Sequence, residues 1–118
     1  MFAIFAATTV AFAVQTAAPA VRPATLTSYE EAVRCAGLTQ AASELEGGES
    51  TEGRTLFDAA LYWSLAASQA AQASGRNATA SDADQTRARI VAVQQLNTDN
   101  AEARAALQRC RQRTPDLG

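Results

Sequence analysis

The chain has 118 residues, with 10 basic residues, all arginine, against 12 acidic residues, and its formal net charge is −2. This length fits a single domain, and the small negative charge gives no general attraction to nucleic acid or anionic membranes. The chain contains no histidine, so the commonest general base and the usual zinc ligand are both missing. About a quarter of the residues are alanine, the strongest helix former, which favours helices throughout.

The first 20 residues carry no charge, and their apolar core of about a dozen residues has the length found in signal peptides. Ala18, Pro19 and Ala20 offer a small-residue cleavage site before Val21. The basic residues expected near such an N-terminus are missing, so an uncleaved anchor and a buried N-terminal segment stay open as alternatives. We expect a cleaved signal peptide at 1–20, an extended leader at 21–27, and a periplasmic or secreted protein without a membrane span after cleavage.

Capping signals and apolar spacing predict an all-α bundle of three to four helices, at about 28–46, 52–74, 81–97 and 99–113, in an up-down arrangement. A C-terminal tail at 114–118 follows this domain, which spans 28–113. Ser28 and Glu31 form a capping box ahead of the first helix, and Ser81 is the expected cap of the third. Poor helix formers at 97–100 predict a break before the fourth helix. No stretch of the sequence alternates apolar and polar residues with a period of two, so no strand is predicted.

The segment 55–73 is apolar around most of its circumference, which is typical of a helix covered on several sides. We therefore expect the second helix to be the packing centre. Gly37 interrupts the first helix, and a bend or a close contact with another helix would explain it. A simple loss of helix propensity is the alternative.

The two cysteines, Cys35 and Cys110, each lie on the apolar face of a predicted helix. In a small exported domain such a pair favours one disulfide, with two free core thiols or a bond between chains as alternatives. A disulfide requires Cα atoms within about 7 Å. One continuous helix over 81–113 would span roughly 50 Å and would carry Cys110 to the wrong end of the bundle. An intramolecular bridge therefore also predicts the break at 97–100.

No nucleophile–base pair, phosphate-binding loop or C-x-x-C motif occurs, so we expect no enzyme, no cofactor and no metal site. A redox role for the two cysteines is disfavoured because reactive pairs are usually close in sequence and exposed. Paired carboxylates are interpreted as solvated helix ends and loops rather than as an acid–base or calcium site. These are Glu30 and Glu31, Glu44 and Glu46, and Glu49 and Glu52.

Two groups of residues are candidates for a binding surface. Tyr62 and Trp63 would anchor a ligand or partner, or would fill space that the neighbouring alanines leave open. The basic cluster would bind a phosphate or an acidic partner, or would complement a helix C-terminus and pair with acids of the first helix. This cluster consists of Arg104, Arg109, Arg111 and Arg113.

The run from Leu96 to Ala103, Leu-Asn-Thr-Asp-Asn-Ala-Glu-Ala, with Leu107 following, resembles the junction between successive tetratricopeptide repeats. Trp63 and Gly75 sit approximately where such a repeat has Trp and Gly in its first helix. Thr98 stands where the family usually has Pro, and the spacing from Trp63 exceeds the period of about 34 residues. The resemblance covers about 45 residues and implies a helix-pair binding module.

These observations favour a structural or protein-interaction module of the cell envelope, whose partner is another envelope protein of unknown identity and not a nucleic acid. The signal-like start, the paired cysteines and the lack of a catalytic constellation support this prediction. One alternative is a carrier of small hydrophobic ligands with a site near Tyr62 and Trp63. Another is the tetratricopeptide-like module.

Overall fold

The computed structural model describes residues 27–116, which form four α-helices and no strand. The helices are α1 (Tyr29–Glu46), α2 (Thr51–Ala73), α3 (Ala78–Asn97) and α4 (Ala101–Gln112), joined by short connectors at 47–50, 74–77 and 98–100. The predicted all-α bundle is confirmed. The predicted signal peptide at 1–20 and most of the leader lie outside the described residues. None of the described helices is long and apolar enough to cross a membrane.

Each helix begins at a side-chain cap. The Ser28 hydroxyl accepts a hydrogen bond from the Glu31 amide at 3.2 Å, and Ser50 accepts from the Gly53 amide at 2.9 Å. The third helix begins at Ala78, three residues earlier than predicted, because the Asn77 side chain accepts from the Ala80 amide at 2.8 Å. Asparagine is as good a cap as serine, and the alanine-rich run behind it supports an earlier first turn.

The break before the fourth helix is confirmed. Asp99 adopts a left-handed conformation with φ 58° and ends α3, since the Asn100 amide reaches back to the Gln95 carbonyl at 3.0 Å. The cap of α4 is Asn100, whose side chain accepts from the Ala103 amide at 2.9 Å.

The packing centre is α1, and the expectation that α2 holds this place is wrong. Helix α1 contacts all three other helices, and five of its residues are almost completely inaccessible: Ala32, Ala36, Leu38, Thr39 and Ala41. One face of α2 is instead open to solvent, with Phe57 54%, Leu61 56% and Leu65 60% exposed. The physical reason is residue size, because the small residues of α1 let three neighbours approach it closely.

Gly37 marks a close helix contact, one of the two functions considered for it. A Cβ atom at this position would lie 2.6 Å from the carbonyl carbon of Ala88 in α3 and 2.8 Å from its Cβ. The backbones of α1 and α3 therefore touch at a point where no side chain fits.

The bridge between Cys35 and Cys110 is present, with Cα atoms 5.5 Å apart and a sequence separation of 75. It joins the first half of α1 to the end of α4, as the up-down arrangement predicts. Closing a loop of this length stabilises the fold by about 4–5 kcal/mol on the chain-entropy account. That is a large share of the roughly 5–15 kcal/mol net stability typical of a domain.

We expect Gly37→Ala to destabilise the bundle by about 1–3 kcal/mol although alanine has the higher helix propensity, because the added methyl group overpacks the contact with Ala88. Chemical denaturation followed by circular dichroism measures the change in the free energy of unfolding. Gly48→Ala is the matched control, since nothing lies within 4 Å of a Cβ there. Equal effects at the two positions would contradict a close α1–α3 contact.

Candidate functional site

A groove of about 540 Å³ lies between α1 and α3 and is closed at one end by the start of α4. We call it the α1–α3 groove. Its apolar lining comes from Val33 and Leu38 of α1 and from Ala88, Val91 and Ala92 of α3. It stays open because both α3 and α4 pack on α1 but contact each other little beyond their connector.

Charged side chains rim this groove. Arg34 of α1 reaches across to Glu102 of α4, with an Nη2–Oε1 distance of 3.5 Å, and the two side chains are 49% and 79% exposed. Such an exposed, long contact contributes little to stability. Glu30 also lines the groove, and within residues 27–116 it has no ion-pair partner. The groove thus combines an apolar floor with charges that are available to another molecule.

One end of the groove is fixed by the Asp84 cluster, which consists of Tyr29, Arg76, Asp84 and Arg87. The Tyr29 hydroxyl donates to Asp84 Oδ2 at 2.7 Å, and Arg76 Nη2 lies 2.6 Å from the same oxygen. Arg87 Nη1 lies 3.4 Å from Oδ1. Arg76 also donates from Nε to the Tyr29 hydroxyl at 3.2 Å. The hydrogen bond from Tyr29, together with the nearby guanidinium groups, lowers the pKa of Asp84.

Trp63 is buried, with 1% of its surface exposed. Its Nε1 donates to the Thr114 hydroxyl at 2.8 Å, and the Arg113 guanidinium lies 5.7 Å from the ring centroid. The half-buried Tyr62 packs edge-on against it with ring centroids 5.1 Å apart. Neither aromatic residue lines the α1–α3 groove. Trp63 thus links the chain after α4 to α2.

The four arginines of the basic cluster do not converge on one spot. Arg111 Nη1 lies 2.5 Å from Glu52 Oε1 of α2, and this contact lowers the pKa of Glu52 through hydrogen bonding and charge. Arg113 pairs with Glu31 of α1, and Arg104 pairs with Asp99. Pairing with the chain's own acids is thus the function that the structure shows for three of the four.

Arg109 is the exception, because it is exposed and forms no ion pair with any of residues 27–116. It lines a second cleft, of about 390 Å³, between α1 and α4, together with Arg34 and the bridge cysteines. Cys35 and Cys110 are only 3% and 4% exposed, which fits a structural bridge better than an exchanging one.

The paired carboxylates named in the sequence analysis lie in the first or last turn of α1, at the start of α2 or in the connector between them. No group of three or more potential ligands within residues 27–116 is arranged to hold a metal ion. The groove itself was not apparent from the sequence. Its only sequence signal is the adjacent pair Ile90 and Val91, since two neighbouring large residues in a helix cannot both face one core.

Comparison of the chain with protein-family models, with curated proteins and with solved structures finds no match. The resemblance to a tetratricopeptide junction therefore stays a resemblance, and functional arguments rest on the geometry described above.

We expect Trp63→Ala to lower the free energy of unfolding by about 3–5 kcal/mol, because it removes a buried aromatic side chain. The control is Phe57→Ala, on the exposed face of the same helix. It should lower the free energy of unfolding by less than about 1 kcal/mol, since Phe57 is 54% exposed. Chemical denaturation measures both. Equal losses would contradict the orientation of α2.

We expect acid to remove the stabilisation provided by Asp84. Its folded-state pKa lies below the ordinary value, so the stabilisation is present above the unfolded pKa and is lost as the pH falls through the folded pKa. The difference in unfolding midpoint between the wild type and Asp84→Asn should therefore be largest near neutral pH and shrink below about pH 4. Denaturation at a series of pH values tests this, with the exposed Asp82→Asn as the control. A difference that is independent of pH would contradict it.

Proposed function

We propose that this protein is an exported protein-interaction module of the cell envelope, and that its α1–α3 groove binds an amphipathic helix of a partner protein. The observation that carries the proposal is the combination of an apolar floor, formed by Val33, Leu38 and Val91, with charged side chains at its edges. Amphipathic helices are recognised by grooves of this kind, in which the floor receives the apolar face and the rim contacts the polar flanks.

The dimensions of the groove support a helical occupant. Its lining runs from Tyr29 to Leu38 along α1 and from Asp84 to Gln95 along α3. At 1.5 Å per residue these stretches span roughly 14–17 Å, or about three helical turns. An elongated groove that is open along its length suits a segment of another protein better than an enclosed small molecule.

Export is supported by the buried bridge between Cys35 and Cys110, since disulfides persist in oxidising compartments. The uncharged N-terminal segment adds to this proposal. We expect the mature protein to begin at Val21 and to lie in the periplasm or the medium. N-terminal sequencing of the protein recovered from its host measures this, and an intact Met1 would contradict cleavage.

The binding function is tested by photo-crosslinking in the living host. A photoreactive phenylalanine analogue replaces Val91, which is 45% exposed inside the groove, or Ile90, which is 49% exposed on the same helix and does not line it. We expect a crosslinked adduct from position 91 and none from position 90. The mass of the adduct identifies the partner.

Position 90 serves as the matched control because it lies on the same helix, has a similar exposure and is tested in the same expression background. Equal labelling at both positions, or no adduct from position 91, would contradict a partner in the groove.

A further inference from the structure

A second apolar feature lies on α2. Phe57, Leu61 and Leu65 are each more than half exposed and are spaced by four residues, so they form one continuous ridge about 12 Å long. This ridge, which we call the α2 ridge, points away from the side of α2 that packs in the core through Leu56 and Trp63. Large apolar side chains that line up on a helix without cover indicate an interaction surface.

The ridge and the groove occupy different surfaces of the molecule. No residue of α2 lines the α1–α3 groove, whose walls come from α1, α3 and α4. The ridge of one molecule therefore cannot fill its own groove, although its length is close to the three turns that the groove accommodates. Two complementary and separate apolar surfaces on one chain fit a contact between copies.

We propose that the α2 ridge of one molecule docks into the α1–α3 groove of a second copy. This inference rests on the proposed function, because it names the amphipathic helix that the groove receives.

Charge complementarity supports this occupant. Arg54 and Asp58 lie one helical turn apart beside the ridge, and Glu30 and Arg34 lie one turn apart on α1 at the groove. Along α2 the positive residue comes first, whereas along α1 the negative residue comes first. When α2 of one copy is aligned parallel to α1 of the other, Arg54 meets Glu30 and Asp58 meets Arg34. In the same register Phe57 comes to lie over Val33.

These charges are available within the single chain. Arg54 hydrogen-bonds the Glu49 carbonyl oxygen at 2.9 Å and the Thr51 hydroxyl at 3.3 Å but contacts no carboxylate among residues 27–116. Within the same range Asp58 and Glu30 form no ion pair, and Arg34 forms one, the 3.5 Å contact with Glu102. Charges placed around an apolar contact in this way fix its register and direction.

A contact between two different surfaces is heterologous, so each molecule keeps one free ridge or one free groove after docking. The copies should therefore associate head to tail into open chains, or into rings where the rotation closes, rather than into symmetric dimers that pair the same surface. Three half-exposed side chains bury less area than a standard interface, and we expect dissociation constants of roughly 10–500 μM.

The test is sedimentation velocity of the naturally processed, oxidised protein over a range up to about 1 mM. We expect the average mass to rise with concentration beyond that of a dimer. Leu61→Glu on the ridge and Val91→Glu in the groove should each weaken self-association by about tenfold or more, because each would bury an unpaired carboxylate. Ile90→Glu, outside the groove, is the matched control and should associate like the wild type.

Mixing two variants distinguishes docking of a ridge into a groove from a symmetric contact between two ridges. The Leu61→Glu protein keeps its groove and the Val91→Glu protein keeps its ridge, so an equimolar mixture should form a one-to-one heterodimer and stop there. Arg54→Glu should weaken association, and adding Glu30→Arg to the same chain should restore it. Circular dichroism and the melting temperature verify that each variant is folded.

Protein that stays monomeric to about 1 mM would overturn the proposal, as would a Val91→Glu protein that still associates like the wild type. A mixture that forms no heterodimer would overturn it as well. A monomeric protein that nevertheless crosslinks a different protein through position 91 would remove only the self-association and would leave the proposed function standing.

Discussion

The backbone contact between Gly37 and Ala88 sets how close α3 lies to α1, and much of the bundle follows from that distance. Alanine residues allow similarly close packing along α1, where Ala32, Ala36 and Ala41 are completely inaccessible. Small residues at helix contacts allow dense packing but bury little apolar area, which is worth about 25 cal/mol per Å². Such a core benefits from a covalent link, and the bridge between α1 and α4 supplies it.

The same packing leaves the groove open. Helix α4 is held by the bridge, by Trp63 bonding to Thr114, and by the pair of Arg113 and Glu31. The start of α3 is held separately by Asp84, which accepts a hydrogen bond from Tyr29 and forms an ion pair with Arg76. The two helices are fastened to α1 at different points and contact each other little, so they stay apart over Val33. The groove is thus a result of how the helices are anchored.

Helix number, the bridge and the break at 97–100 could be predicted from the sequence, because caps, glycines and a distance limit on disulfides act locally or through one simple constraint. Which helix is central could not be predicted in this way. The segment 55–73 is apolar around most of its circumference, which predicts a helix covered on several sides, whereas Phe57, Leu61 and Leu65 are exposed. Helical periodicity tells which residues share a face, but it does not tell how many neighbours cover that face. The groove was missed for the same reason, since Val33, Leu38 and Val91 meet only in the folded chain.

The position of the bridge has a consequence for a chain that has been cut. All three connectors, at 47–50, 74–77 and 98–100, lie between Cys35 and Cys110. A protease that cleaves any one of them produces two fragments that remain covalently joined through the sulfur atoms. The oxidised protein therefore remains one covalent molecule after a single cleavage in any of these connectors.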